Sequence, residues 1–286
     1  MNTNLSLAAS SICFYGAGSM AEAIVRGLLG KHVADADRIA MLNRSSKERL
    51  AYLSDTYGVA TAIEDEAKHR HLQEASIIVL AMKPKDAGEA LTGLGPLLRE
   101  NQLIVSLIAG LSISTIQALL RAKAPIARTM PNTSCSIGQG ATGISFSAET
   151  TETQQSQVLS MFEAVGMVSV IPEEQMEILT GVSGSGPAYV YYLMEAMIEA
   201  GIQGGLSAAQ SRELTVQTVL GAALMMAETG EEPAKLRADI TSPNGSTQAA
   251  IAVLESGRFQ PSVRAAVHRA AERSMEMGEA VKAALL

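Results

Sequence analysis

The tightest constraint on this chain is a turn close to its start. An apolar run, Ile12–Tyr15, passes at once into Gly16-Ala17-Gly18-Ser19-Met20-Ala21. The stretch that follows places Ala23, Ile24, Gly27 and Leu28 on one helical face. A GxGxxA pattern between a strand and a helix is the phosphate-binding turn of a βαβ unit. Its first glycine permits the tight turn, its second lets the backbone approach a pyrophosphate, and its small third position packs helix on strand. Amides at the helix N-terminus then hold the anion. Gly16, Ala17, Gly18, Ser19 and Met20 are therefore candidate dinucleotide-binding residues.

The end of the second strand reads which dinucleotide. Sites selective for NAD place Asp or Glu there, to accept from the ribose 2′-hydroxyl. This chain has Asn43-Arg44-Ser45-Ser46-Lys47 after Ile39–Leu42. An arginine able to fork onto a 2′-phosphate replaces the carboxylate that would repel it, with hydroxyl donors beside it. The expected coenzyme is NADPH, with NADH also usable. Two further strand ends, Met82-Lys83-Pro84 and Ala109-Gly110, are expected near the nicotinamide and ribose. In open α/β sheets ligands gather outside the carboxyl ends of strands.

Short apolar runs alternate with amphipathic stretches up to about Pro172. The strand candidates are Ile12–Tyr15, Ile39–Leu42, Ile77–Ala81, Leu103–Ile108, Ile126–Met130, Ala141–Phe146 and Val168–Ile171. Strands alternating with helices imply a doubly wound α/β domain with a parallel sheet. After about Glu173 the alternation stops. Helices are expected over Pro187–Ala200, Ser207–Ala227, Ser246–Leu254 and Pro261–Val281, rich in Ala, Met and Leu. The chain thus divides into a Rossmann-type domain, 1–172, and an all-helical domain, 173–286. Helices apolar nearly all round need cover on several sides, so the second part is expected to form a homo-oligomeric interface.

Composition excludes other classes. A formal net charge of -7 and the lack of any basic run argue against a nucleic-acid partner. The two cysteines, Cys13 and Cys135, suggest neither a disulfide framework nor a metal site, and a reduced cytoplasmic protein is expected. Leu214–Ala227 carries no charge but is too short to span a bilayer. No positive, apolar leader opens the sequence.

Three further segments make unusual demands on the backbone: Ala127-Arg128-Thr129-Met130-Pro131-Asn132-Thr133, Val182-Ser183-Gly184-Ser185-Gly186-Pro187-Ala188-Tyr189, and Thr241-Ser242-Pro243-Asn244-Gly245-Ser246-Thr247. Singly, each reads as a loop or cap. With GAGSMAEAI, the NRS turn and MKPKD, in this order over nearly the whole chain, they resemble the pyrroline-5-carboxylate reductase family. The TSPNGST segment is the most specific of them.

The resemblance implies a Rossmann domain followed by a helical dimerisation domain, with dimers and larger assemblies of dimers. It also implies an active site shared between one subunit's nucleotide domain and its partner's helical domain. The implied reaction is NADPH-dependent reduction of 1-pyrroline-5-carboxylate to L-proline. Gly245, Ser246 and Thr247 would bind the substrate carboxylate at a helix N-terminus, where amides and the dipole attract anions. Thr247 would face the ring nitrogen, Ser242 would help shape the turn, and Asn132 would bind the substrate. One departure stands out: the family has glycine or another small residue where Asn244 follows the proline here. Asn tolerates left-handed backbone, so the turn is expected to keep its shape.

Acid–base chemistry gives an independent pointer. His32, His69, His71 and His268 fall outside every motif and read as surface residues. A hydroxyl-oxidising dehydrogenase needs a placed His or Lys, whereas an imine is basic enough to arrive protonated. Three alternatives remain. A hydroxy-acid dehydrogenase would carry a lysine at the start of its long helix, where this chain has Gly186-Pro187-Ala188-Tyr189. The others are a reductase of a related cyclic imine acid and a non-catalytic nucleotide-binding paralogue.

Overall fold

The structure is a computed structural model that describes residues 7–285. It divides into two compact units, one running to Ser185 and resuming at Arg269, the other Gly186–His268. The alternation of secondary structure stops at Pro172, but the contacts of the first unit continue to Ser185 and take in most of the last helix.

The first unit is built on eight strands: β1 Ile12–Tyr15, β2 Ile39–Leu42, β3 Ala60–Ala62, β4 Ile77–Leu80, β5 Leu103–Ser106, β6 Ile126–Met130, β7 Gly140–Phe146 and β8 Gly166–Val170. They lie in the order β3-β2-β1-β4-β5-β6-β7-β8. The chain winds outward from β1 in both directions, the doubly wound arrangement expected from the alternation. Strands β1, β2, β4 and β5 carry almost unbroken apolar side chains because helices cover both sheet faces. Two features differ from the sequence expectation. Strand β3 is an added edge strand of only three small residues, Ala-Thr-Ala, too short for a periodic signal. Strand β7 runs antiparallel to β6, with Ala127 opposite Phe146. The link from Pro131 to Gln139 is too short for the crossover that a parallel step needs.

Helices α1 Ser19–Gly30, α2 Lys47–Tyr57, α3 Asp65–Glu74, α4 Ala87–Leu94, α5 Ile113–Leu120 and α6 Glu152–Glu163 flank the sheet. One core, on the α1 face, centres on Phe14, Ile24, Leu28, Met41 and Phe162; the other lies under Leu72, Leu91, Ile104 and Ile116. A short helix α7, Met176–Leu179, runs into a π-helical turn over Thr180–Gly184.

The second unit holds α8 Gly186–Gln203, α9 Ala208–Thr229, α10 Pro233–Asp239, α11 Ser246–Ser256 and the start of α12 Phe259–Leu285. Each predicted helix is present, with ends moved by one to a few residues. Ser207 caps α9 in a reciprocal box with Gln210, and Gly230 ends it in the left-handed conformation. No residue of α8 is buried, and Tyr192 and Val253 stand 78% and 69% exposed. A single subunit leaves the apolar faces of this unit uncovered. No helix among the described residues is long and apolar enough to cross a membrane.

Candidate active site

At the carboxyl ends of β1, β2 and β4 a cleft of about 630 Å³ opens, lined by Gly16, Ala17, Asn43, Arg44, Ser45, Met82 and Lys83 among others. Seven of the expected coenzyme residues, from three separate strand ends, therefore meet on one surface. Gly16 holds φ at +123°, and a Cβ there would stand 2.6 Å from the carbonyl carbon of Ala81. The bare Cα is what lets the β1 turn press against the end of β4. Gly18 differs: its backbone is extended, and a Cβ there would meet nothing within 4 Å. It is the N-cap of α1 and has no side chain to cap it, so the first-turn amides at Ser19 and Met20 face outward without a side-chain partner. Pro84 opens the 3₁₀ turn Pro84–Asp86 that leads into α4.

A half-buried polar cluster braces the turn. Arg49 donates through Nε to the Ala17 carbonyl at 3.0 Å and through a terminal nitrogen to Glu22 at 2.5 Å. Tyr57 donates to the same Glu22 carboxylate at 2.8 Å. Burial alone would raise the Glu22 pKa, but the hydrogen bonds from Arg49 and Tyr57 outweigh it and hold the carboxyl below its usual value. The same burial and the bond to Glu22 push the Tyr57 phenol up to about 12. Arg49 escaped the sequence reading because nothing local marks which arginine of a polar helix turns inward.

The cleft has a wall that the motifs did not announce. Asp65, Lys68 and His69 line it from α3. Their spacing of three and four residues puts them on one helix face, the signal that was available. His69 is exposed, as read, but it belongs to this wall.

Other expected residues lie elsewhere. Ala109 and Gly110, after β5, are not among the residues lining the cleft. Gly110, at φ +77°, receives α12 instead: a Cβ there would stand 3.0 Å from the Gly278 nitrogen. Asn132 is buried, and its side-chain amide is committed to the protein. Its Nδ2 donates to the Ser183 carbonyl at 3.1 Å, and its Oδ1 accepts from the amides of Ser134 and Ala141. It thus ties the PNT turn to the π-helical turn. Beside it Arg128, nearly buried, pairs with Glu173 at 3.2 Å and with Glu177, while Glu173 also accepts from the Ile113 amide at 2.7 Å.

A second cluster belongs to the other unit. Asn244 sits at φ +58°, the left-handed conformation that the turn requires, and its amide donates to Gln248 Oε1 at 2.7 Å. The departure at this position is accommodated. The Gly245 amide closes the turn onto the Ser242 carbonyl at 3.0 Å, and a Cβ at Gly245 would stand 2.5 Å from Ser242 Oγ. Ser242 therefore shapes the turn. Helix α11 starts at Ser246 with Gly245 as N-cap and no side-chain cap. Because the Gly245 amide is used, Ser246 and Thr247 are left to present the open helix N-terminus.

Comparison with known proteins reports on both units. A family profile described as pyrroline-5-carboxylate reductase dimerisation matches residues 173–277, and one described as NADP oxidoreductase coenzyme F420-dependent matches residues 11–110. Pyrroline-5-carboxylate reductase 1 of Bacillus subtilis (strain 168) is 40% identical over 271 residues, 95% of this chain and 90% of that protein. This chain belongs to the pyrroline-5-carboxylate reductase family. Solved reductase structures agree. That from Coxiella burnetii is 37% identical with a TM-score of 0.85, covering 94% of this chain and 98% of its own. The Plasmodium falciparum pyrroline carboxylate reductase, crystallised with NADP bound, is 29% identical with a TM-score of 0.86, covering 95% and 99%.

Proposed function

We propose that the protein reduces 1-pyrroline-5-carboxylate to L-proline with NADPH, the last step of proline biosynthesis, as a homodimer or a larger assembly of dimers. The observation that carries this reading is the likeness to reductases of that name along 95% of the chain, through both units. Two buried, unpaired cysteines, with burial pushing the Cys13 thiol up to about 12, suit a cytoplasmic setting.

The residues present fit the coenzyme. Gly18 leaves open space in front of the uncapped α1 N-terminus, where the amides of Ser19 and Met20 would hold a pyrophosphate. Arg44, its side chain 77% exposed, with Asn43 and Ser45 beside it, would take the 2′-phosphate. Met82, Lys83 and Pro84 would border the ribose. When bound, the reduced nicotinamide supplies a hydride to the imine carbon. The amides of Ser246 and Thr247, with Gly245 giving the carboxylate room, would anchor the substrate. The Thr247 hydroxyl would sit at the ring nitrogen, which gains one proton as the C=N bond becomes C–N. Asn132 would hold the shape of its own turn through its bonds to Ser183, Ser134 and Ala141. Catalysis then rests on positioning more than on an acid. The uncovered apolar faces of α8, α9 and α11 support a subunit interface in this region.

The test is purified protein with NADPH and pyrroline-5-carboxylate, followed by loss of the reduced-nicotinamide absorbance. Turnover with NADPH, slower with NADH, is expected. Thr247→Ala should lower kcat by roughly ten- to a hundredfold while NADPH affinity stays unchanged. A protein that binds NADPH but turns over none of this substrate would overturn the assignment.

A further inference from the structure

Asp86 ends the 3₁₀ turn after β4 and is the N-cap of α4, yet its carboxylate makes no capping bond. An aspartate in that place ordinarily accepts from the helix amides. Here it reaches across the cleft to Arg44 at 3.2 Å. The two residues come from the ends of β4 and β2, the strands that flank β1, so the pair bridges the mouth of the cleft over the Gly16 turn. Both residues line the cleft. Two other carboxylates line the cleft, Asp65 from α3, which is paired with Lys68 at 2.7 Å, and Glu89 from α4.

We propose that Asp86 is a specificity-determining residue that lowers the preference for a 2′-phosphate at this site. The proposal rests on the coenzyme reading given above. The usual NAD-selecting carboxylate is missing from the end of β2, and Asp86 supplies one to the same region from the end of β4, on the other side of β1. A ligand with a 2′-phosphate must draw Arg44 away from Asp86 and sit beside an unneutralised carboxylate. A ligand with a free 2′-hydroxyl leaves the pair intact and can donate to Asp86. Arginine and aspartate therefore act in opposite directions on one oxygen substituent.

The experiment measures binding of 2′,5′-ADP and 5′-ADP to the full-length protein by calorimetry, for wild type, Asp86→Asn and Asp86→Ala. Removing the charge should tighten 2′,5′-ADP by roughly three- to tenfold, the scale of one partly exposed charge acting on a dianion. Affinity for 5′-ADP should stay level or weaken, so the ratio of the two rises in both variants. Circular dichroism and melting curves matching wild type would confirm that each variant is folded. An unchanged ratio, or equal changes for both ligands, would overturn the role of Asp86 and leave the coenzyme reading standing. Failure of both nucleotides to bind wild type would overturn both.

Discussion

The two fingerprint glycines make a separable prediction, because the space around them differs. In Gly16→Ala the new Cβ must adopt φ +123° and stand 2.6 Å from the Ala81 carbonyl carbon. Holding an L-residue at such a φ costs roughly 1–2 kcal/mol. Forcing apart two backbone segments that cannot rotate away adds roughly 1–3 kcal/mol. The sum, roughly 2–5 kcal/mol, corresponds in a unit of this size to a fall in Tm of roughly 5–20 °C. In Gly18→Ala the backbone is already at φ -77° and ψ -179°, and the Cβ meets nothing within 4 Å. The cost to the fold should stay below about 1 kcal/mol. The methyl instead occupies the space through which a pyrophosphate approaches, and NADPH affinity should fall by about tenfold or more. Melting curves without ligand and NADPH titration by fluorescence separate the two effects. The reasoning is refuted if both variants melt alike, or if Gly18→Ala binds NADPH as tightly as wild type.

Two other outcomes follow from the same geometry. In Gly278→Ala the Cβ would stand 2.7 Å from the Gly110 carbonyl carbon; detachment of α12 should appear as new protease cleavage after Arg269 and a Tm lower by several degrees. For the cluster beneath the β1 turn, the sign at each end of the pH range is fixed. The Tyr57 phenol is raised to about 12, so its share of stability is present below about pH 10 and is lost as pH rises through 12. Glu22 is lowered, so its share is present above about pH 4.5 and is lost as pH falls through its folded value. Equilibrium unfolding against pH should therefore lose part of its alkaline slope in Tyr57→Phe and part of its acid slope in Glu22→Gln. Unaltered slopes in both would dissociate the cluster from folding.

Much of this protein was legible along the chain. The β1 turn is written in six consecutive residues because its signal is local: a strand, two glycines and a helix N-terminus. The alternation of apolar runs identified seven strands, and the same runs, apolar on both faces, required a sheet covered by helices. Asn244 could be read as a left-handed turn residue because that preference belongs to the residue itself, and the turn holds it at φ +58°. The helices of the second unit announced an interface through an excess of apolar residues that no single face absorbs.

What pairs across distance was decided only in three dimensions. Three alanine-rich residues become strand β3 because β2 offers an unpaired edge, and β7 runs against β6 because nine linking residues, 131–139, permit nothing else. Gly110 looked like a ligand-facing turn, but α12, contributed by residues far along the chain, packs onto its bare face. Asn132 stood in a motif and proved buried, its amide shared among three backbone groups of separate segments. Arg44 was visible as a phosphate-binding candidate, whereas its contact with Asp86 depends on β2 and β4 lying on either side of β1. Sequence fixes what each short segment prefers; burial, ion pairing and close backbone approach depend on which segments the sheet order sets side by side.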